Sequence, residues 1–296
     1  MLSFKEFSVE DKDLIQSYIL DKDRFNCDLS FTNLCSWKFL YQTKYAIVDG
    51  MLIIRFYIGE QLAYMMPIGD GNLKSTIQLM MNDAENIGSN LIIIGLNEEL
   101  KEEMERLFPN RFEYSTDRDF SDYIYLRSDL ATLKGKKYQP KRNHINKFKT
   151  LYPNYKYVEL TPELVPECLK LEEIWCRANN CEEQAELGAE STSMKFALNN
   201  MEALGLKGGI LYVNDEIVAF TYGGIINNNT WDVCVEKADT NIVGAYPMIN
   251  CEYANSIDEK FIYLNREEDL GLEGLRKAKL SYHPTILLNK IIAKLK

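Results

Sequence analysis

Histidine is nearly missing from this chain: only His144 and His283 occur among 296 residues. That scarcity argues against a histidine-built metal centre and leaves little room for Ser–His or Cys–His catalysis. No GxGxxG follows a strand, and P-loop, HExxH and GxSxG patterns are absent, so the usual nucleotide, zinc-peptidase and hydrolase signatures do not apply. The longest apolar runs, such as Leu91–Ile94 and Ile286–Leu288, fall far short of the roughly 20 residues that span a bilayer. The N-terminal residues lack a basic-then-apolar leader pattern. Seven cysteines, an odd number without CxxC spacing at Cys176 and Cys181, read as reduced structural thiols of a cytoplasmic protein with no metal.

A second absence is local. From Leu130 through Val158 there is no Asp or Glu, whereas Lys134, Lys136, Lys137, Lys141, Arg142, Lys147, Lys149 and Lys156 all fall there. The whole chain is formally −10, so with these 8 charges set aside the remainder carries −10 − 8 = −18. Such asymmetry points to an anion facing the stretch, or to a tether between two acidic halves. Pro140 suits the first turn of a helix starting near Gln139. At 100° per residue, Ile145, Phe148, Leu151 and Tyr152 share one stripe with Lys141 and His144, while Asn143, Asn146, Lys147 and Thr150 face away. Lys141 therefore either meets a counter-charge or snorkels to water along its stem.

What is present reads as one α/β plan written twice. Asp49-Gly50 and Asn214-Asp215 each join two β-rich runs as hairpin turns. After the first hairpin come a strand at 62–66, a helix at 73–86 and a strand at 91–94. After the second come a strand at 230–235, a helix at 245–256 and a strand at 261–264. A further helix (98–107; 270–280) and closing strands (112–114 and 123–126; 282–288) complete each half. Helices at 11–20 and 31–41 precede the first hairpin, and helices at 162–178 and 182–204 precede the second. This order predicts mixed, largely antiparallel sheets flanked by helices, divided as residues 1–130, a basic connecting helix over 131–153, and residues 154–296.

Polar groups crowd just past the end of the strand at 261–264, where Asn265, Arg266, Glu267, Glu268 and Asp269 follow in sequence. Glu268 is expected merely to complement the dipole of the next helix; Arg266 and Asp269 stand evenly between that reading and a site. Leu275, Lys279 and Tyr282 fall at i, i+4 and i+7, so Lys279 lies between apolar positions, either to stabilise developing negative charge or to snorkel. Glu236 ends a strand as a conceivable general base. Gly244 opens a helix whose free N–H groups suit a phosphate.

The runs EKADTNIVGAYPMINCEYA and YLNREEDLGLEGLRKAKLSYHP, preceded by GKKYQPKRNHINKF, resemble the phosphatidylglycerol lysyltransferase C-terminal domain family, in particular its soluble branch. CDLSFTNLCSW and MMPIGDG extend the similarity into the first half. The resemblance implies two tandem domains of the GCN5-related N-acetyltransferase fold and kinship with the Fem peptidyltransferases. It implies aminoacyl transfer from an aminoacyl-tRNA to an amine or hydroxyl acceptor, with tRNA or another phosphate-containing molecule as partner. Gly274, Leu275, Ala278, Lys279 and Tyr282 resemble the GLxxFKxxF segment of the Fem enzymes, in which the lysine is associated with the transition state; Ala278 replaces the aromatic residue. Lys141, Arg142 and Asn143, with Lys137 before them, resemble the start of the basic helix entering the second domain. The acyl-CoA pyrophosphate loop would fall on Asn241–Tyr246, where only Gly244 fits and Tyr246 stands at an outer position, which argues against ordinary acetyl-CoA use. Two other readings stay open: an acyl-CoA-dependent small-molecule N-acyltransferase, and a catalytically inactive binding protein of the same fold.

Overall fold

Both hairpin turns form as their sequences dictate. Asp49 and Gly50 take φ of 48° and 76°, and Asn214 and Asp215 take 53° and 63°; these left-handed values match the twist of the strands they join. In a computed structural model, which describes residues 2–178 and 185–296, the hairpins seed two sheets. The first runs in the order Lys5–Glu6, Lys44–Val48, Met51–Ile58, Gln61–Met65, Ile92–Leu96, Ile291–Leu295, Phe112–Thr116, with Ile68–Gly69 also pairing to Met51–Ile58. The second runs Ile286–Leu288, Asp122–Leu126, Tyr263–Asn265, Thr230–Ala238, Glu216–Asn227, Lys207–Val213, Lys156–Glu159. Each contains one parallel pair, Gln61–Met65 with Ile92–Leu96 and Thr230–Ala238 with Tyr263–Asn265, in otherwise antiparallel surroundings.

The halves exchange strands at equivalent places. Ile291–Leu295, from the C-terminal end, inserts between Ile92–Leu96 and Phe112–Thr116. Asp122–Leu126 inserts between Tyr263–Asn265 and Ile286–Leu288. The sheets thus cross the expected boundaries at 130 and 154, because backbone pairing and burial choose the neighbour, not position in the chain. One apolar core joins the halves, setting Phe7, Phe31 and Leu52 of the first with Met194, Phe220 and Tyr222 of the second; burying such side chains is worth about 1.5–3 kcal/mol each.

Helices Leu73–Ile87, Glu98–Leu107 and Ala245–Ser256 lie where expected, the first two capped by Asn72 and Asn97, which accept from Ser75 and Leu100 backbone N–H groups. The helix expected over 270–280 starts only at Glu273. The start expected at Glu182 lies outside the described residues. Gln139–Leu151 forms as expected with Pro140 in its first turn. Its packed side holds Ile145 and Phe148, while Lys147 faces water and so does His144, against expectation; the helix contacts the rest of the fold over a narrower stripe than the wheel drew. Among the described residues no helix is long and apolar enough to cross a membrane. Cys27, Cys35, Cys168, Cys234 and Cys251 are free. Cys176 is disulfide-bonded, which corrects the expectation of reduced thiols there; Cys181 lies outside the described residues.

Candidate active site

Thr230–Ala238 and Tyr263–Asn265 pair in parallel only from Thr230–Tyr263 to Asp232–Asn265, and beyond that register the chains part. A bulge sits at the parting: Gly223 pairs with Val233 and Tyr222 with Val235, leaving Cys234 over. An extra residue re-aims the side chains that follow. Glu236 therefore points across the gap to Arg266, its Oε1 accepting from Nη2 at 3.0 Å, while its Oε2 accepts from Asn250 Nδ2 at 3.0 Å. Arg266 lies over the rings of Tyr282 and Tyr125, 4.9 and 5.8 Å from their centroids. Its Nη1 is buried without a hydrogen-bond partner, as is Asn250 Oδ1. Lys141 reaches in from helix Gln139–Leu151 with its Nζ 3.8 Å from the Tyr282 ring centroid, and it makes no ion pair among the described residues. Burial, then the neighbouring Arg266 charge, pull its pKa down to about 8, against the attraction of Glu236. Four residues singled out in the sequence, Lys141, Glu236, Arg266 and Tyr282, thus meet in one notch, where Arg266 Nη1 has no hydrogen-bond partner and Lys141 no ion pair among the described residues.

The other residues singled out do different work. Lys279 is buried, and its Nζ donates to the carbonyl oxygens of Arg266, at 2.6 Å, and Glu268. The expected free ammonium is thus committed to bracing the backbone on either side of Glu267. Lys137 pairs with Asp129 at 3.4 Å and lies over Tyr138. Arg142 folds back onto the carbonyls of Leu133 and Gly135 and onto Gln139, and Asn143 accepts from Gln139 at 2.7 Å. These three close the loop before the helix and do not enter the notch. Asp269, fully buried, accepts from Arg118, Tyr123, Arg276 and the Gly271 N–H. Hydrogen bonds from Arg276, opposed by burial, hold its carboxyl well below the usual range; it braces the loop.

Sequence reasoning missed a second constellation on the far side of this loop. Asp28, Asp122, Asp232, Glu267 and Glu268 gather beside Cys27 and Cys234, with Lys290 among them. The Lys290 ammonium sits 2.8 Å from both Asp28 and Asp122 and also pairs with Glu268. Burial opposes its charge, yet Asp122 and Asp28 hold its pKa well above the ordinary lysine value. Asp232 and Glu267 make no ion pair among the described residues, although the Lys279 charge acts on Glu267. Asn33 Nδ2 donates to both, at 3.2 and 2.8 Å, the Cys234 thiol donates to Asp232 at 3.4 Å, and the Ser30 hydroxyl lies beside the Asp232 carboxyl. Burial and then the charge of the other carboxylate push both groups far up. Two sets, Cys27–Asp122–Glu268 and Asp232–Cys234–Glu267, have metal-ligand proximity; the first already surrounds Lys290. Glu267, with φ of 55°, is held in a conformation uncommon for a non-glycine residue. Glu267, Glu268, Asp28 and Lys290 line one part of a cavity of about 370 Å³ whose other walls are chiefly apolar. The weak signal in the sequence was Glu267-Glu268 itself, credited to a helix that begins too late to use it.

Residues 21–294 match the model of the family described as phosphatidylglycerol lysyltransferase, C-terminal. The chain belongs to that family. The solved structure of L-PGS from Bacillus licheniformis is similar in fold, 15% identical with a TM-score of 0.66, covering 99% of this chain and 93% of that one. A conserved protein of unknown function from Bacteroides thetaiotaomicron is 54% identical with a TM-score of 0.98, and each chain covers 100% of the other. An uncharacterised Mycoplasmoides gallisepticum protein is 24% identical over 175 residues, which is 59% of this chain and 56% of that relative, so the chain spans little more than half of it. The fold, two mixed sheets flanked by helices, is shared with FemX, which is 8% identical with a TM-score of 0.56 and covers 100% of this chain and 98% of that one.

Within this lysyltransferase family, the loop expected to meet an acyl-CoA pyrophosphate can be judged by what surrounds it. Gly244 has φ of 84°, and a Cβ there would fall 2.7 Å from the His144 carbonyl oxygen and 3.0 Å from Phe148 Cβ. Helix packing against the basic helix accounts for this glycine. Tyr246 is half-buried, and burial raises its pKa, with the Ala238 backbone bonded to its hydroxyl working the other way.

Proposed function

We propose that this protein is an aminoacyltransferase that moves an aminoacyl group from an aminoacyl-tRNA-type donor to an amine or hydroxyl acceptor, at the notch where strands Thr230–Ala238 and Tyr263–Asn265 part. The observation that carries the reading is the pair of unspent cationic donors there: Arg266 Nη1, buried without a partner, and Lys141, set over Tyr282 with no ion pair among the described residues. In acyl transfer the acceptor attacks the ester carbonyl carbon, its oxygen becomes an oxyanion, and the ribose oxygen leaves with a proton. Fixed positive charge in a water-poor notch favours that oxyanion over the neutral ester. Lys141 and Arg266 fill this role. Glu236 fixes the guanidinium by ion pair, and Lys279 fixes its backbone through the Arg266 carbonyl. Both are positioning residues in this reading, and Tyr282 supplies the ring on which the cations rest. Lys137, Arg142 and Asn143 hold the turn that leads into the basic helix, and Asp269 braces the loop.

Membership of the lysyltransferase family supports acyl transfer, and the packing of the basic helix over Gly244 supports a donor other than acyl-CoA. The test is to incubate the protein with tRNA charged with radiolabelled amino acids and a cell-extract acceptor pool, with acetyl-CoA in a parallel reaction. Label should pass from tRNA to acceptor, and Lys141→Met and Arg266→Met should each slow it by roughly 10²–10³-fold, the usual effect of losing one oxyanion donor. Consumption of the CoA thioester alone, or full turnover by Lys141→Met, would overturn it.

A further inference from the structure

In the first half, too, a strand end opens onto a helix, and donors gather there without matching acceptors. Strand Ile92–Leu96 is followed after one residue by helix Glu98–Leu107. Between this junction and residues 23–26 lies a pocket of about 30 Å³, roughly twice the room that one water needs. Asn26 is 3% exposed, and its Nδ2 has no hydrogen-bond partner. That nitrogen points at the Gly95 wall of the pocket, 2.9 Å from where a Cβ would stand, so the glycine keeps the space open. Arg24, half-buried, lines the same pocket and makes no ion pair among the described residues. Burial pulls its pKa down, and Glu103 and Glu99 on the helix attract it too weakly to offset this. Asn97 and Asn289 have their amide oxygens occupied, by the Leu100 N–H and the Ser121 hydroxyl at 2.9 Å each, which leaves their amino ends to offer. The backbone N–H groups of Glu98 and Glu99 have no acceptor within the helix, as in any first turn, and the helix dipole is positive there. Lys290 lines the pocket as well, but its ammonium is spent on Asp28, Asp122 and Glu268. The carboxylate in the lining, Asp23, is exposed to water. A guanidinium, a buried amide and a helix N-terminus facing one small space complement a compact oxyanion.

We propose that this pocket binds a phosphate-sized oxyanion, held by the Arg24 guanidinium, the Asn26 amide and the first N–H groups of helix Glu98–Leu107. A space of this size takes no base or sugar, so what enters is an inorganic ion or the terminal phosphate of a molecule that otherwise stays outside. The assignment does not depend on the acyl-transfer reading, since binding here requires no turnover and uses none of the notch residues.

Isothermal titration calorimetry with inorganic phosphate, glycerol 3-phosphate and glycerol tests it on the intact chain carrying Lys141→Met, a background that removes a cation from the notch. Phosphate should bind with a Kd of about 1 mM or tighter, and glycerol should not bind. Arg24→Met should weaken phosphate binding at least about tenfold, through loss of charge-assisted hydrogen bonds, and Asn26→Leu by about two- to tenfold. Because Arg24 makes no ion pair among the described residues, Arg24→Met should leave the urea midpoint unchanged without phosphate, and phosphate should raise the midpoint of the parent but not of this variant. Phosphate should also slow hydrogen exchange at the amides of residues 98–100. Glycerol 3-phosphate binding as tightly as phosphate identifies a terminal phosphate as the occupant, and a loss of about tenfold or more identifies the free ion. Phosphate affinity unchanged by Arg24→Met, no binding at about 10 mM phosphate, or slowed exchange confined to other residues would each overturn the proposal.

Discussion

Replacing Lys290 with methionine keeps the side-chain length and removes one charge from the seam between the two halves. Lys290 lies between the last two strands and holds Asp28 from the first half, Asp122 from the exchanged strand and Glu268 from the site loop. Lys290 is only 8% exposed, and the Asp122 side chain is 0% and that of Glu268 15% exposed. Deleting one member of a buried charge set leaves the others uncompensated, which costs about 3–5 kcal/mol. The backbone N–H of Cys27 and the Asn265 amide still donate to Asp122 at 2.8 Å each, so the loss belongs toward the lower part of that range. Urea unfolding followed by circular dichroism gives the difference, and Asp122→Asn on top of Lys290→Met should recover part of it, since the second change removes the stranded charge. Hydrogen exchange should quicken first at Ile291–Leu295, next to the missing ammonium. A loss under about 1 kcal/mol, the worth of an exposed pair, or no recovery in the double variant, would refute the view that Lys290 rivets the exchanged strands.

Two further outcomes follow from the notch and its flank. Lys141, with its pKa near 8, is charged below that pH and neutral above it; pyrophosphate binding should therefore weaken as pH rises through about 8, and Lys141→Met should flatten the profile, both read by calorimetry. Gly244→Ala combines an unfavourable positive φ with a Cβ 2.7 Å from the His144 carbonyl oxygen, so it should lower stability by about 1–3 kcal/mol in urea unfolding.

Local chemistry was readable from sequence wherever a residue type acts within a few positions. The Asp49-Gly50 and Asn214-Asp215 turns and the 98–107 and 245–256 helices fall where their residues place them. Strand exchange was not readable. Alternation says which face of a strand is buried, but not which sheet accepts its edge, and the strand Ile291–Leu295 gave only a two-residue apolar run before Ala293 and Lys294. In the site, the structure brings together Lys141, Glu236, Arg266 and Tyr282, each singled out separately in the sequence. Lys279 was readable as a lysine between apolar positions but not as one spent on carbonyl oxygens, because a backbone acceptor leaves no mark in the sequence. The acidic group was invisible for a related reason: Asp28, Asp122, Asp232, Glu267 and Glu268 come from distant segments, and each alone looks like surface charge.

The site loop explains why these two kinds of chemistry lie so close together. Residues 265–269 leave the sheet where the parallel pair parts, and consecutive side chains there go opposite ways: Arg266 enters the notch with Lys141 and Glu267 the cavity lined by Asp28, Glu268 and Lys290. A strand end alone does not fix side chains in opposite directions. Lys279 prevents this by bonding the carbonyls of residues 266 and 268, and Asp269 anchors the next position on Arg118, Tyr123 and Arg276. Glu267 then adopts its left-handed φ of 55°, a conformation that costs about 1–3 kcal/mol and persists only where surrounding bonds enforce it. The lysine in the Fem-like segment is thus best understood as the clamp that keeps Arg266 and Glu267 pointing to different partners. Lys279→Met should therefore disturb the Arg266 side and the Glu267 side of the loop together, read as faster hydrogen exchange across residues 265–269.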